Sequence, residues 1–181
     1  MYILASGSPR RKELLSLLIN DFKIIPSGEE ETPPDNLPAD RQPEYLACIK
    51  ALSVAKNNPD CIVIGADTSV ISEGKILGKP KSTDNAREMI TALSGKTHKV
   101  ITGCAVVKNG VCRSFSEETL VEFYSLTKRE IEDYISTNEP YDKAGAYGIQ
   151  GKGGLLVKGI IGDYFNVVGL PVARLKRFLN I

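Results

Sequence analysis

The chain has 181 residues, 42% of them hydrophobic, and carries 23 basic against 22 acidic side chains for a formal net charge of +1. That size and apolar content suffice for one domain or two small lobes with a proper core. The balanced charge argues against a nucleic-acid binder, which usually shows a clear basic excess, and no stretch approaches the roughly 20 apolar residues of a membrane span.

Four cysteines, at positions 48, 61, 104 and 112, form no CxxC pair, and His98 is the only histidine. This combination predicts reduced, mostly buried thiols and no zinc site. The opening apolar run is too short for a signal peptide and its basic cluster follows it, so a cytoplasmic protein is expected.

Tyr2-Ile3-Leu4-Ala5 reads as a short buried strand. After it come Ser6-Gly7-Ser8-Pro9-Arg10-Arg11. Ser8 suits an N-cap and Pro9 the first helical position, with an apolar stripe from Leu14 to Ile19. Arg10, Arg11 and Lys12 all fall in the first turn, where the helix dipole opposes cations by roughly 0.3–1 kcal/mol each. An anion bound by Ser6, Ser8, the two arginines and free backbone N–H groups would offset that cost, so the stretch reads as a phosphate site. A solvated basic turn is the plainer reading.

Phe22–Ile25 reads as a second strand. A long irregular stretch follows from Glu29 to about Arg41, with Glu29, Glu30 and Glu31 at its head. Such a run is by default a solvated charge cluster, but carboxylates facing a phosphate site can also hold a divalent cation. Pro43 to Lys56 is a helix, with Lys50 at the edge of its apolar stripe, where a lysine often just snorkels. Cys61 to Thr68 is a strand buried on both faces that ends in Gly65-Ala66-Asp67-Thr68. An aspartate at a strand's carboxyl end is placed to act as general base or metal ligand, or simply to make an Asx turn.

Val70 to Leu77 reads as a hairpin turning at Glu73-Gly74, and runs into Gly78-Lys79-Pro80. Thr83 to Leu93 is a helix. His98 lies at a strand start and, with no nucleophile near it in sequence, is taken as structural. Val100–Val107 and Val111–Leu126 are strands around an Asn109-Gly110 hairpin turn. Thr127-Lys128-Arg129-Glu130 is a capping box opening a helix to about Ser136. The stretch 138–151 is rich in glycine, yet carries Tyr141, Lys143, Tyr147 and Gln150, side chains suited to stacking on and hydrogen bonding a nucleobase. Leu155–Val157 and Ile160-Ile161 read as a strand pair around Lys158-Gly159. Gly162 to Asn166 is a turn, and Pro171 to Leu179 a last helix. The alternation of hairpins with βα units predicts an α/β fold with a mixed central sheet and flanking helices.

Several of these stretches together resemble the Maf family of nucleotide pyrophosphatases. They are Ser6-Gly7-Ser8-Pro9-Arg10-Arg11-x-Glu13-Leu14-Leu15, Gly65-Ala66-Asp67-Thr68, Gly78-Lys79-Pro80, Tyr141 to Gly151, and Gly162-Asp163-Tyr164-x-Asn166 with the tail to Pro171. The resemblance runs in order over nearly the whole chain. It implies a single domain over residues 1–181, of the inosine-triphosphatase-like fold, with two lobes around a cleft. It implies Asp67 as the proton acceptor, with Asp67 and Glu31 (Glu30 the close competitor) holding Mg²⁺ or Mn²⁺. Lys50 and Lys79 become phosphate contacts, Lys143 a further contact, and Arg10, Thr68 and Gln150 the residues that set substrate preference.

The activity so implied is hydrolysis of dTTP and UTP to the monophosphate and pyrophosphate, a house-cleaning role, with a homodimer as a family expectation and neither nucleic acid nor membrane as partner. Two alternatives stand beside it: the 7-methyl-GTP branch of the family, and a nucleotide-binding inhibitor of septum formation without catalysis. Arg10, Thr68 and Gln150 occurring together favour the pyrimidine branch, and an intact Asp67 and Glu31 favour an enzyme.

Overall fold

The computed structural model describes residues 1–28 and 32–181; Glu29, Glu30 and Glu31 lie outside the described residues. In chain order the elements are β1 (Tyr2–Leu4), α1 (Pro9–Ser16), β2 (Phe22–Ile24), α2 (Gln42–Ala55), β3 (Ile62–Ser72), β4 (Lys75–Leu77), α3 (Thr83–Leu93), β5 (Thr97–Lys108), β6 (Val111–Phe123), α4 (Lys128–Ile135), β7 (Val157–Ile161), α5 (Tyr164–Val168) and α6 (Val172–Leu179). Residues 32–41 form neither helix nor strand. No described helix is long and apolar enough to cross a membrane.

The seven strands form one mixed sheet in the order β2-β1-β3-β5-β6-β7, with β4 added to β3. β1 runs parallel to both β2 and β3, whereas β4 on β3 and β7 on β6 are antiparallel. The two hairpin turns have the backbone their sequences call for. Glu73 and Gly74 lie at φ 50° and 76°, and Asn109 and Gly110 at 51° and 76°, the paired positive values of a type I′ turn.

The chain divides into two compact units. The first comprises Met1–Thr68, Thr102–Glu117 and Phe165–Ile181; the second comprises Ser69–Ile101 and Glu118–Tyr164.

In the first unit α2 lies on the sheet through small residues. Ala47, Ala51 and Val54 pack with Ile3, Ala5, Val63, Ala105 and Val107. Two glycines let the helix come this close. A Cβ on Gly65 would stand 2.4 Å from the Ala47 carbonyl oxygen, and one on Gly103 would stand 2.3 Å from the Glu44 amide nitrogen. The start of α2 is tied to β6, where Ser114 and Ser116 donate to the two Glu44 carboxylate oxygens at 2.7 and 2.6 Å. Because α2 cannot slide on this seat, the side chains one turn further on are held in register with β3. α6 docks on β6 through Phe178 against Phe115, with ring centroids 4.8 Å apart and Arg174 over the Phe115 ring.

In the second unit, α3 and α4 cover a core of Ile90, Leu93, Val121, Phe123, Ile131 and Ile135. Thr127 and Glu130 form the expected capping box of α4. His98 is structural, as anticipated. It is 2% exposed, its Nε2 lies 2.7 Å from the Tyr147 hydroxyl, and its ring meets Phe123 and Tyr147 edge-on. Burial lowers its pKa to about 4, against about 6.5 in an unfolded chain. The folded protein therefore binds fewer protons than the unfolded one between those values, and stability rises with pH across that window. We expect about 3 kcal/mol of stability, fully present above pH 6.5, to be lost as pH falls to 4. Urea unfolding at pH 7 and pH 4.5 measures it, and His98→Gln should flatten the difference.

Three expectations need correction. Residues 151–156 form a 3-10 turn and Val157–Ile161 one continuous strand on β6, where the sequence suggested two short strands around Lys158-Gly159. Gly151 at φ +69° and Gly153 and Gly154 packed on the backbone carbonyls of Gly148 and Ile149 curl that segment, and β6 supplies the pairing that Lys158-Gly159 was expected to interrupt. Tyr164–Val168 is a short helix and not part of a turn, because Gly169 at φ +128° closes it with an N–H bonded to the Phe165 and Asn166 carbonyls. Finally, β3 does not end at Thr68 but continues to Ser72, since Val70 to Ser72 find a partner in β4.

Candidate active site

The site residues of the first unit gather beyond the carboxyl end of β1. That strand stops pairing with β3 at Leu4–Ile64, so Asp67 and Thr68 stand on the stretch of β3 that has lost this neighbour. Thus the strand end that opens the site is that of β1. Alternation sends the two side chains to opposite faces of the sheet.

Asp67 leaves β3 on the same face as Gly65, toward α2. There Lys50 Nζ donates to Asp67 Oδ1 at 2.5 Å. The two side chains are 23% and 17% exposed, so water and a ligand can still reach the pair. Lys50 is therefore not a snorkelling lysine at the edge of a stripe; it carries a positive charge to the carboxylate.

Thr68 leaves the opposite face, toward α1. Ser8 caps α1, its hydroxyl accepting from the Arg11 N–H at 3.4 Å, with Pro9 at the helix start. Arg10 is half-buried in the same first turn. Arg11 spends its guanidinium on three separate segments. Nε donates to the Gly169 carbonyl at 2.9 Å, Nη1 to the Ser6 hydroxyl at 3.2 Å, and Nη2 to the Thr68 hydroxyl at 3.0 Å. Ser6 also accepts from the Ser8 N–H at 3.3 Å. The Thr68 hydroxyl is thus held by Arg11. Burial lowers the Arg11 pKa from its usual value, and the nearby Asp67 charge opposes that shift.

The chain of hydroxyls continues inward. Thr68 Oγ1 lies 2.9 Å from Thr102 Oγ1. Thr102 gives its own proton to the Asn166 carbonyl at 2.9 Å, while its N–H donates to Asn166 Oδ1 at 3.1 Å. With the Thr102 proton committed, Thr68 is the donor in the pair between them. Arg11, Thr68, Thr102 and Asn166 form one directed hydrogen-bond series, whose members polarise one another. Thr102 and Asn166 are fully buried.

Thr102 was not singled out from the sequence, and Asn166 and Gly169 were noted only as part of the family-like tail, with no role given. Thr102 is a hydroxyl inside an apolar strand, which was a signal; its partner was 64 residues away, which no local pattern carries.

The remaining candidates belong to the second unit. Lys79 is exposed just after β4, and the carbonyl of its neighbour Gly78 accepts the Gly145 N–H at 3.0 Å. That bond ties the Lys79 turn to the glycine-rich segment. Lys143 is half-buried and donates to the Glu139 carbonyl at 2.7 Å and to Asp142 at 2.5 Å. Gln150 is exposed and makes no side-chain cap bond at the turn it begins. Among the described residues no three His, Cys, Asp or Glu side chains gather as a metal cage. The cysteines are free; Cys104 is buried, which raises its pKa to about 12, and Cys48, Cys61 and Cys112 are half-buried.

The fold is that of HAM1-type α/β proteins. The HAM1 protein of Coxiella burnetii superposes with a TM-score of 0.58 over 99% of this chain and 98% of its own, at 14% identity, a likeness of fold alone. Within that class the chain belongs to the Maf family, whose pattern, described as Maf-like protein, matches residues 1–181. A Bacillus cereus protein named dTTP/UTP pyrophosphatase is 54% identical over 98% of this chain and 93% of its own. A protein of the same name from Bacillus anthracis is 53% identical over the same shares.

Proposed function

We propose that this chain hydrolyses dTTP and UTP between the α- and β-phosphates, giving the nucleoside monophosphate and pyrophosphate. The observation that carries the reading is the Lys50–Asp67 pair on one face of β3 with the Arg11–Thr68 contact on the other, in a chain 54% identical to a protein named dTTP/UTP pyrophosphatase. Asp67 takes the proton of the attacking water, and Lys50 both holds that carboxylate and brings positive charge to the phosphates. Ser6, Ser8 and Arg10, at the capped start of α1, are the further phosphate contacts of this reading. Lys79 and Lys143 are proposed as additional contacts, and Gln150 as the residue that reads the base.

A divalent cation, Mg²⁺ or Mn²⁺, belongs to the same reading. One half-buried carboxylate, Asp67, suits a hard cation that takes its other ligands from phosphate oxygens and water. Glu31, the second proposed ligand, lies outside the described residues. When bound, such an ion neutralises charge on the phosphates.

The test is pyrophosphate release from a panel of nucleoside triphosphates with Mg²⁺ or Mn²⁺. Release from dTTP and UTP ahead of the others is the expected result. Preference for 7-methyl-GTP would overturn the base assignment, and tight nucleotide binding without release would overturn the enzyme.

A further inference from the structure

Glu139 precedes Gln150 in the second unit and has no part in the chemistry above. Its carboxylate accepts the Lys152 N–H at 3.0 Å through one oxygen and the Gly153 N–H at 3.1 Å through the other. Lys152 and Gly153 are the second and third residues of the 3-10 turn Gly151–Leu156, and Gln150 is its N-cap, with an extended backbone at φ −83°, ψ 156°. At a helical start these two amides have no backbone partner, and the cap residue's own side chain commonly takes one of them. Here Gln150 takes neither. A residue eleven positions upstream satisfies both, and the Gln150 side chain stays exposed.

The approach of that carboxylate is built in. A Cβ on Gly151, which lies at φ +69°, would stand 2.7 Å from Glu139 Oε1, and one on Gly153 would stand 2.1 Å from the Gly148 carbonyl oxygen. Glu139 is itself held: its N–H donates to Thr137 Oγ1 at 3.3 Å and its carbonyl accepts from Lys143 at 2.7 Å. This gives Lys143 a second task, fixing the backbone that carries the clamp.

We propose that Glu139 is a positioning residue for base selection: by occupying the Lys152 and Gly153 amides it keeps the Gln150 amide open to a pyrimidine base. The proposal rests on Gln150 reading the base. A primary amide offers one acceptor and two donor hydrogens, which match the O4 and N3–H edge of thymine or uracil. A Gln150 side chain folded back onto its own turn would spend its oxygen there.

The test is a double-mutant cycle with Glu139→Gln and Gln150→Ala, read as kcat and KM for dTTP, together with hydrogen exchange of the Lys152 and Gly153 amides in the ligand-free protein. Glutamine keeps the size of Glu139 but sets an NH₂ group against one of the two N–H donors, removing that bond and leaving the other without charge assistance. In Glu139→Gln both amides should exchange faster, and KM for dTTP should rise about tenfold, with the effect falling on KM and not on kcat. In the Gln150→Ala background the same substitution should raise KM no further. A general loss of folded protein would lower kcat in both backgrounds, so it does not imitate this pattern. Unchanged KM in Glu139→Gln, or an equal rise with and without Gln150, overturns the proposal. Unchanged exchange overturns the clamp even if Gln150 reads the base. If Gln150→Ala leaves KM for dTTP unaltered, Gln150 does not read the base and the proposal falls with it.

Discussion

We expect the Asp67→Asn protein to release pyrophosphate from dTTP about 10²–10⁴-fold more slowly than the native chain, with KM within a few-fold of native. Asparagine keeps the shape and the hydrogen bond from Lys50 but accepts no proton from water. The substitution also leaves the Lys50 ammonium without a counter-charge. Both side chains are largely but not fully buried, at 23% and 17% exposure, so the cost to folding is moderate, about 1–2 kcal/mol. A large fall in kcat with only this moderate fall in urea stability therefore separates a chemical role from a structural one. Rates within a few-fold of native would remove Asp67 as the base. A collapse of stability comparable to that of the next variant would make the Lys50–Asp67 pair a structural bridge.

Arg11→Lys costs about 3 kcal/mol of stability and lowers activity as well. The guanidinium joins Ser6 after β1, Thr68 on β3 and Gly169 after α5. A lysine ammonium, on a flexible stem, satisfies one of those acceptors at a time and leaves the others without a donor. Two lost bonds to a charged donor, at about 1.5 kcal/mol or more each, give the figure. Thr68 then loses the partner at the head of the series that runs through Thr102 to Asn166, so its hydroxyl is no longer fixed. Urea unfolding of the native and variant proteins measures the effect. A variant as stable as the native chain would mean that the three contacts do not act together. A stable, inactive variant would mark Arg11 as a phosphate ligand in place of a brace.

Several parts of this molecule could be read from sequence because their causes are local. The Ser8-Pro9 start of α1, the Thr127–Glu130 capping box and the Asn109-Gly110 turn each satisfy backbone groups within four residues, so neighbouring side chains suffice to specify them. The continuous apolar run of β3 likewise announced a strand buried on both faces. Asp67 could be nominated because a carboxylate at the end of a buried run is visible as a departure from a pattern, whereas Thr68 and Lys50 were nominated only by the resemblance to the Maf family.

Long-range contacts decided the rest. That β3 continues past Thr68 depended on β4, and that Val157–Ile161 is a single strand depended on β6, because a strand's length is set by the partner that satisfies its N–H and C=O groups. That Arg11 braces the site was settled by acceptors 5, 57 and 158 residues away. The meeting of Lys50 with Asp67 required Gly65 and Gly103, whose missing side chains let α2 sit against the sheet at the right height. Sequence determined which chemical groups this protein has and which short segments fold around them. Tertiary structure alone determined which groups touch, because hydrogen bonds act over about 3 Å and only the packed fold brings distant residues that close.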